Sequence, residues 1–263
     1  MAKKEKKKMF YTLITKKRDE WLASKECTIG SLLEYIERRG MMRDAQIDAI
    51  KTYLYLKIAC QNKPLYELFC QGQFNEDNLS QEELTPATRE VLSTNPAALA
   101  LFQYSKLRDK NGVQTAPKLE EYIRHHASSI DYKQVFFNIF NGVEYADYLF
   151  SLPMGAGKTF LMSAFIYLDL YFAQQEPNNP IWAHNFLVLA PSGLKSSIIP
   201  SLRNIRSFDP SWLFSEETAI KLKRLIHFEI LDEQKSEKKT EKKSSSKKSS
   251  KKSNKSSSNK GSE

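Results

Sequence analysis

The sequence is poor in cysteine, and its cysteines are not spaced for a metal site or a disulfide framework. Cys27, Cys60 and Cys70 form no C-x-x-C motif, and any disulfide would leave one of the three unpaired. Structural zinc sites need closely spaced ligands, and disulfides persist in oxidising compartments. The sequence therefore argues against zinc and predicts a reduced, cytoplasmic protein.

Long hydrophobic runs and internal repeats are also absent. The most apolar stretch, residues 160–172, is shorter than the about 20 residues that cross a bilayer, and it contains Asp169. The lysine-rich N-terminus is followed by an amphipathic stretch, so neither a signal peptide nor a membrane partner is expected. Self-similarity at a period of about 20 to 50 residues, the mark of a solenoid, is missing.

The net charge of +9 lies at the two ends of the chain. Residues 235–263 contain eleven lysines and three glutamates, and residues 1–8 contain five lysines and one glutamate, which leaves the middle slightly acidic. The Lys/Ser composition of residues 235–263 cannot form a core, so this tail is predicted to be disordered. Two interpretations apply to it: electrostatic attachment to nucleic acid, or a solubilising linker.

The first part of the chain, residues 1–142, has the patterns of a helical region. Apolar residues recur at helical spacing over residues 28–39 and 42–58, and Gly40 is placed to end the first of these helices. The pairs Thr85-Pro86 and Asn95-Pro96 each combine a capping residue with proline at the first helical position.

A last helix of this region is predicted over residues 132–140. Asp131 is placed to cap its N-terminus. The dipeptide Asn141-Gly142 either ends this helix or forms the turn of a β-hairpin.

The most specific motif is a glycine-rich turn at residues 151–159, which ends in Gly-Ala-Gly-Lys-Thr. Its glycines allow a tight turn whose backbone N–H groups point at one oxyanion, and a following helix adds the positive potential of its N-terminus. Lys158 would reach the outer phosphates of a nucleotide, and the Thr159 hydroxyl would bind Mg²⁺.

The motif departs from the full pattern at one position, where Leu152 stands in place of a glycine five residues before Gly157. The alternative interpretation is an ordinary glycine turn that caps a helix. That alternative gives no reason for lysine and threonine together at this register.

The context of the turn predicts a parallel sheet. Short strands are predicted at residues 148–152, 186–190 and 226–231. Helices follow the first two strands, and repeated strand-to-helix units imply parallel pairing with right-handed crossovers. We therefore predict an α/β fold in which residues 143–234 form an incomplete parallel sheet behind the mostly helical region 1–142.

Three segments resemble a known family. Residues 152–159 and 186–192 resemble motifs I and Ia of superfamily 2 helicases and translocases, especially the DEAD/DEAH-like ATPases related to restriction-enzyme helicase subunits. Residues 43–50 are similar to the family's Arg-x-x-Gln-x-x-Ala-Ile segment. The resemblance implies a RecA-like domain with ATP and Mg²⁺ as cofactors and nucleic acid as partner, DNA before RNA. A restriction or defence complex is a further candidate partner.

The resemblance also implies roles for individual residues. Gln46 would contact the adenine edge, and Pro191 and Ser192 would border the backbone of a bound strand. Alternatively, Gln46 is a solvated helix position, and the Pro-Ser pair stops a strand and caps a helix. Lys158 and Thr159 would be the catalytic residues, with Thr159 as the Mg²⁺ ligand. The implied nucleotide-binding loop comprises Pro153, Met154, Gly155, Ala156, Gly157, Lys158, Thr159 and Phe160.

The family's hydrolytic carboxylates lack a clear counterpart. Hydrolysis needs an aspartate and a glutamate at the end of a buried strand, and Asp232-Glu233 is the only candidate pair. His227 and Glu229 interrupt the apolar character of that strand, so a solvated strand end is the alternative.

No second RecA-like domain follows, so we expect the front part of a helicase, as a truncation or a fragment, and leave open whether this chain is an enzyme. A non-catalytic nucleotide-dependent binding module is the main alternative. A small unrelated P-loop ATPase or kinase is another, although the tail supplies lysines where a kinase lid would need arginines.

Overall fold

The computed structural model describes residues 2–76, 79, 82–109, 111–189 and 205–227 of the 263-residue chain. These residues form a helical structure. The α-helices run in the order α1 (Ala2–Leu22), α2 (Gly30–Arg39), α3 (Asp44–Ile58), α4 (Leu65–Cys70), α5 (Pro86–Thr94), α6 (Pro96–Lys106), α7 (Pro117–His126), α8 (Tyr132–Ile139), α9 (Lys158–Gln175) and α10 (Glu216–Leu225).

The predicted helix starts are confirmed by their hydrogen bonds. The Thr85 side chain accepts from the backbone N–H of Thr88, and the Asn95 side chain accepts from two N–H groups in the first turn of α6. The Asp131 side chain accepts from the N–H of Gln134 at the start of α8. Each cap satisfies donors that have no partner within the helix.

The predicted helix ends are confirmed as well. Gly40 follows α2 at a φ of 62°, and its N–H donates to Glu37. Asn141 and Gly142 both adopt positive φ after α8, and the Gly142 N–H donates to the carbonyl of Phe137. The Asn-Gly dipeptide therefore ends a helix, and the hairpin interpretation is wrong.

The predicted parallel sheet is wrong for the part of the chain that the structure describes. Residues 148–152 and 186–189 form no strand, and the one β-bridge in the described residues is an isolated antiparallel pair, Arg108 with Gln114. The α/β assignment, with its incomplete RecA-like sheet, is therefore replaced by an α-helical fold. Residues 190 and 228–231, the rest of the second and third predicted strands, lie outside the described residues.

The first predicted strand nevertheless has the alternation of a strand. Exposure follows a period of two from residue 146 to residue 153. The partly buried members of this set are Ala146, Tyr148, Phe150 and Leu152. Leu149, between them, is 76% exposed. No backbone hydrogen bond joins residues 146–152 to another described segment.

The alternation fails to make a strand because a strand also needs a neighbour for its backbone. The inward side chains of this segment pack on helices instead: the Phe150 ring lies 5.0 Å from that of Phe165 in α9 and 6.2 Å from that of Tyr53 in α3. Residues 185–189 do not alternate in this way, because all of them except Val188 are exposed, with Leu187 79% and Leu189 82% exposed.

An aromatic cluster holds the N-terminal helices together. Phe10 of α1 stacks on Tyr104 of α6 at 4.3 Å between ring centroids, and its edge meets Phe69 of α4 at 4.9 Å. Phe69 also stacks on Phe136 of α8. All four rings are buried, so this cluster is the core that joins α1, α4, α6 and α8.

Helices α3 and α9 are joined by a buried ion pair. The Lys57 ammonium lies 3.1 Å from a carboxylate oxygen of Asp169, which is 2% exposed. The Tyr53 hydroxyl donates to the other oxygen at 2.6 Å, and the backbone N–H of Ala183 donates to the same oxygen as Lys57. Burial, with Asp169 beside it, raises the pKa of Tyr53 well above its usual value, so this phenol stays a donor.

The chain divides into a compact unit of residues 1–223 and a second unit of residues 224–263. The described part of the second unit, residues 224–227, ends α10 and continues for two residues without regular structure. The predicted Lys/Ser tail lies outside the described residues. None of the described helices combines the length and the apolar character needed to cross a bilayer.

We expect Asp169→Leu to lower the free energy of unfolding by about 3–5 kcal/mol, because it leaves the Lys57 ammonium buried without its carboxylate. Urea denaturation followed by circular dichroism measures this change. The double variant Lys57→Met/Asp169→Leu should recover only part of the loss, because the Tyr53 hydroxyl, the Ala183 N–H and the Ile181 carbonyl still lose these partners. Glu217→Ala, in an exposed pair with Lys221, is the control and should leave the midpoint unchanged. A loss for Asp169→Leu no larger than that of the control would contradict the expectation.

Candidate phosphate-binding site

Residues 153–157 form the turn that the glycine motif predicts. Gly155 and Gly157 both adopt a φ of 77°, a conformation that only glycine takes at no steric cost. Between them Ala156 is buried, and its N–H donates to the carbonyl of Pro153 at 3.3 Å. The turn is tight and its conformation depends on both glycines.

Helix α9 begins directly after the turn, at Lys158, and continues to Gln175. Its N-cap is Gly157, which provides no side-chain acceptor for the first N–H groups of the helix. An N-terminus of this kind presents backbone donors and the positive end of the helix dipole. Turn and helix together therefore have the local geometry of an anion site.

The lysine and threonine of the motif lie at the mouth of the turn. The exposed Lys158 ammonium donates to the carbonyl of Pro153 at 3.1 Å, so the side chain folds back over the loop that precedes it. Thr159 is partly exposed, and its carbonyl accepts a bond from the hydroxyl of Ser163 one turn later. Met154, at the tip, is 99% exposed.

The N-terminus of α3 contacts the turn directly. The Gln46 side chain amide donates to the carbonyl of Gly157 at 2.9 Å, across 111 positions of sequence. The Arg43 guanidinium donates to the carbonyl of Gly155. Two of the three segments that resemble the helicase family, residues 43–50 and 152–159, therefore meet in space.

Gln46 is buried at 3% exposure, so it does not occupy a solvated helix position. Its amide oxygen accepts from the backbone N–H of Arg43 at 2.9 Å, which caps α3, while its amide nitrogen binds Gly157. A Cβ on Gly157 would lie 2.7 Å from that nitrogen, whereas a Cβ on Gly155 would meet nothing within 4 Å. The space beside Gly157 is therefore filled by Gln46, whereas a side chain at Gly155 would enter open space.

An aromatic pair flanks the start of α9. Phe160 stacks on Trp212 with 5.4 Å between ring centroids. Trp212 ends a 3₁₀ turn, Pro210–Trp212, which Asp209 caps. The Arg39 guanidinium, near the end of α2, lies within 3.4 Å of the Ser211 hydroxyl.

Sequence reasoning assigned no role to Arg43 or Trp212. Arg43 could have been found, because it opens the Arg-x-x-Gln segment that the family resemblance contains. Trp212 carries no motif, and only the folded chain places it beside Phe160.

Four predicted site residues cannot be placed. Pro191, Ser192, Asp232 and Glu233 lie outside the described residues. The nucleic-acid contact and the hydrolytic pair therefore stay predictions. Among the described residues no group of three or more His, Cys, Asp or Glu side chains forms a metal cluster.

Comparisons with models of protein families, with curated proteins and with solved structures gave no match to this chain.

We expect Gly157→Ala to destabilise the protein more than Gly155→Ala. Either change places a side chain at positive φ, which costs about 1–2 kcal/mol. The methyl group at residue 157 would in addition push the Gln46 amide from its place and break its bond to the turn. Urea denaturation of the two variants measures the difference. Equal losses would show that the Gln46 contact adds nothing to the stability of the turn.

Proposed function

We propose that this chain binds ATP through residues 153–159 and belongs to a DEAD/DEAH-like helicase or translocase that acts on nucleic acid. The observation that carries the proposal is the contact of Arg43 and Gln46 with Gly155 and Gly157. The resemblance joins two segments that are 112 positions apart, and a chance likeness gives no reason for them to lie against each other.

The residues present suit a phosphate group. Both glycines turn the backbone without a side chain in the way, and Gly155 has open space where a Cβ would project. The Lys158 ammonium needs only to leave the Pro153 carbonyl in order to pair with a phosphate oxygen. No carboxylate makes a hydrogen bond or ion pair with the described residues of the turn.

Magnesium would bind through the Thr159 hydroxyl together with phosphate oxygens. Mg²⁺ keeps several waters and takes only one or two protein oxygens in nucleotide sites, so a single threonine is a sufficient protein ligand for binding. The ion would neutralise phosphate charge there. The described residues of this chain supply two sources of hydrogen-bond donors for a phosphate, the glycine-rich loop and the N-terminus of α9.

We expect Lys158→Ala to weaken ATP binding by about 10- to 100-fold, the effect of losing one charge-assisted hydrogen bond. Isothermal titration calorimetry with Mg²⁺ present measures the affinity. Lys221→Ala, an exposed lysine of α10, is the matched control and should bind ATP as the wild type does. Equal affinity of Lys158→Ala and the wild type would refute the phosphate site.

Turnover decides between a motor and a binding module. Inorganic phosphate release should be measured with and without single- and double-stranded DNA and with RNA. Turnover that DNA stimulates, and that Lys158→Ala abolishes, would support a helicase or translocase activity. ATP binding without turnover would favour the non-catalytic, nucleotide-dependent module.

A further inference from the structure

Two side chains of the α3 N-terminus hold carbonyl oxygens of the turn. Arg43 donates to the oxygen of Gly155, and Gln46 donates to the oxygen of Gly157 at 2.9 Å. In a trans peptide the carbonyl and the next N–H point in opposite directions, and the described residues contain no cis peptide. The two contacts therefore turn the N–H groups of Ala156 and Lys158 away from α3.

Each of these peptide planes also has one bond within the turn and α9: the Ala156 N–H donates to the Pro153 carbonyl at 3.3 Å, and the Gly157 carbonyl accepts from the Leu161 N–H at 3.1 Å. Glycine has no Cβ and visits many backbone conformations, so a glycine-rich turn alone does not keep its N–H groups aligned. Anion sites built from successive backbone N–H groups bind well only when those groups are aligned before the ligand arrives. Arg43 binds the carbonyl of the peptide group 155–156, and Gln46 binds the carbonyl of the peptide group 157–158. Both contacts limit rotation of the peptide group that they bind.

The geometry points to Arg43 and Gln46 as positioning residues that hold the anion-binding face of the turn in place from its carbonyl side. The consequence for ligand affinity rests on the proposed function. The arrangement of the turn does not depend on the proposed function, because both contacts exist in the protein without a ligand.

This role differs from recognition of adenine, the role that the family resemblance implies for Gln46. Both polar atoms of its amide are already bonded, the oxygen to the N–H of Arg43 and the nitrogen to Gly157. A base-reading glutamine presents those atoms to the base. A positioned turn binds the phosphates, which all nucleotides share. Its effect on affinity is therefore the same for every base.

The first experiment compares ligands that differ in their base. Calorimetry with ATP, GTP and inorganic tripolyphosphate is carried out on the wild type, Arg43→Ala and Gln46→Leu. We expect each variant to bind all three ligands more weakly by the same factor, about 5- to 10-fold, as one lost hydrogen bond implies. Arg43→Lys keeps a donor and should recover part of the affinity.

The charge-matched control is Arg38→Ala. Arg38 is an exposed arginine in the last turn of α2, and its replacement removes the same charge as Arg43→Ala. Its affinities should equal those of the wild type. A loss confined to ATP, with tripolyphosphate bound normally, would overturn the proposal in favour of base recognition. Variants that bind all three ligands as the wild type does would overturn it as well.

The second experiment needs no ligand. Gln46→Glu keeps the cap of α3, because a carboxylate accepts from the Arg43 N–H as glutamate does in a capping box, but it cannot donate to Gly157. We expect the ¹⁵N order parameter of the Lys158 amide to fall from a rigid value near 0.85 to about 0.6, while those of Ala156, whose peptide plane Arg43 holds, and of α3 are retained.

An unchanged order parameter at Lys158 would overturn the proposal. This measurement also separates the two claims. A wild-type protein that binds none of the three ligands would refute the proposed function, and the relaxation data would still decide whether Arg43 and Gln46 hold the turn.

Discussion

The described fold depends on the contacts that α3 makes along its whole length. At its first turn Gln46 holds the glycine turn. In its second turn Asp48 accepts from the buried guanidinium of Arg18, 2.6 Å away, and this bond joins α1 to α3. At its last turn Lys57 is paired with Asp169 of α9. One helix therefore fixes the position of α9 at two points, the start of that helix and its middle.

Features set by neighbouring residues could be predicted from the sequence. Asn95 and Asp131 cap their helices, and Gly40 ends another, because a cap is a contact within about three residues and needs no knowledge of the fold. The conformation of Gly155 and Gly157 is local in the same sense. The motif therefore indicated the turn and the start of α9 before any tertiary contact was known.

Features set by distant residues could not be predicted in this way. The apolar alternation at residues 148–152 specifies an extended backbone but says nothing about a neighbouring strand, and the sheet inferred from it was wrong. The Lys57–Asp169 pair lies within an apolar helix pattern that gives no sign of a buried charge. The contact of Gln46 with Gly157 was not predicted either, because the family resemblance assigned Gln46 to the adenine edge of a nucleotide.

The unpaired extended segments have a consequence for the behaviour of the chain in solution. Leu149, Leu187 and Leu189 are exposed next to backbone groups that bond to no other described segment, and such edges are templates for cross-β stacking between chains. Asp147 and Pro153 flank the first segment as gatekeepers against that stacking. A proline, Pro191, also follows the second segment in the sequence, but residues 177–194 contain no Asp, Glu, Lys or Arg, which makes this segment the more prone of the two to form fibrils as concentration rises.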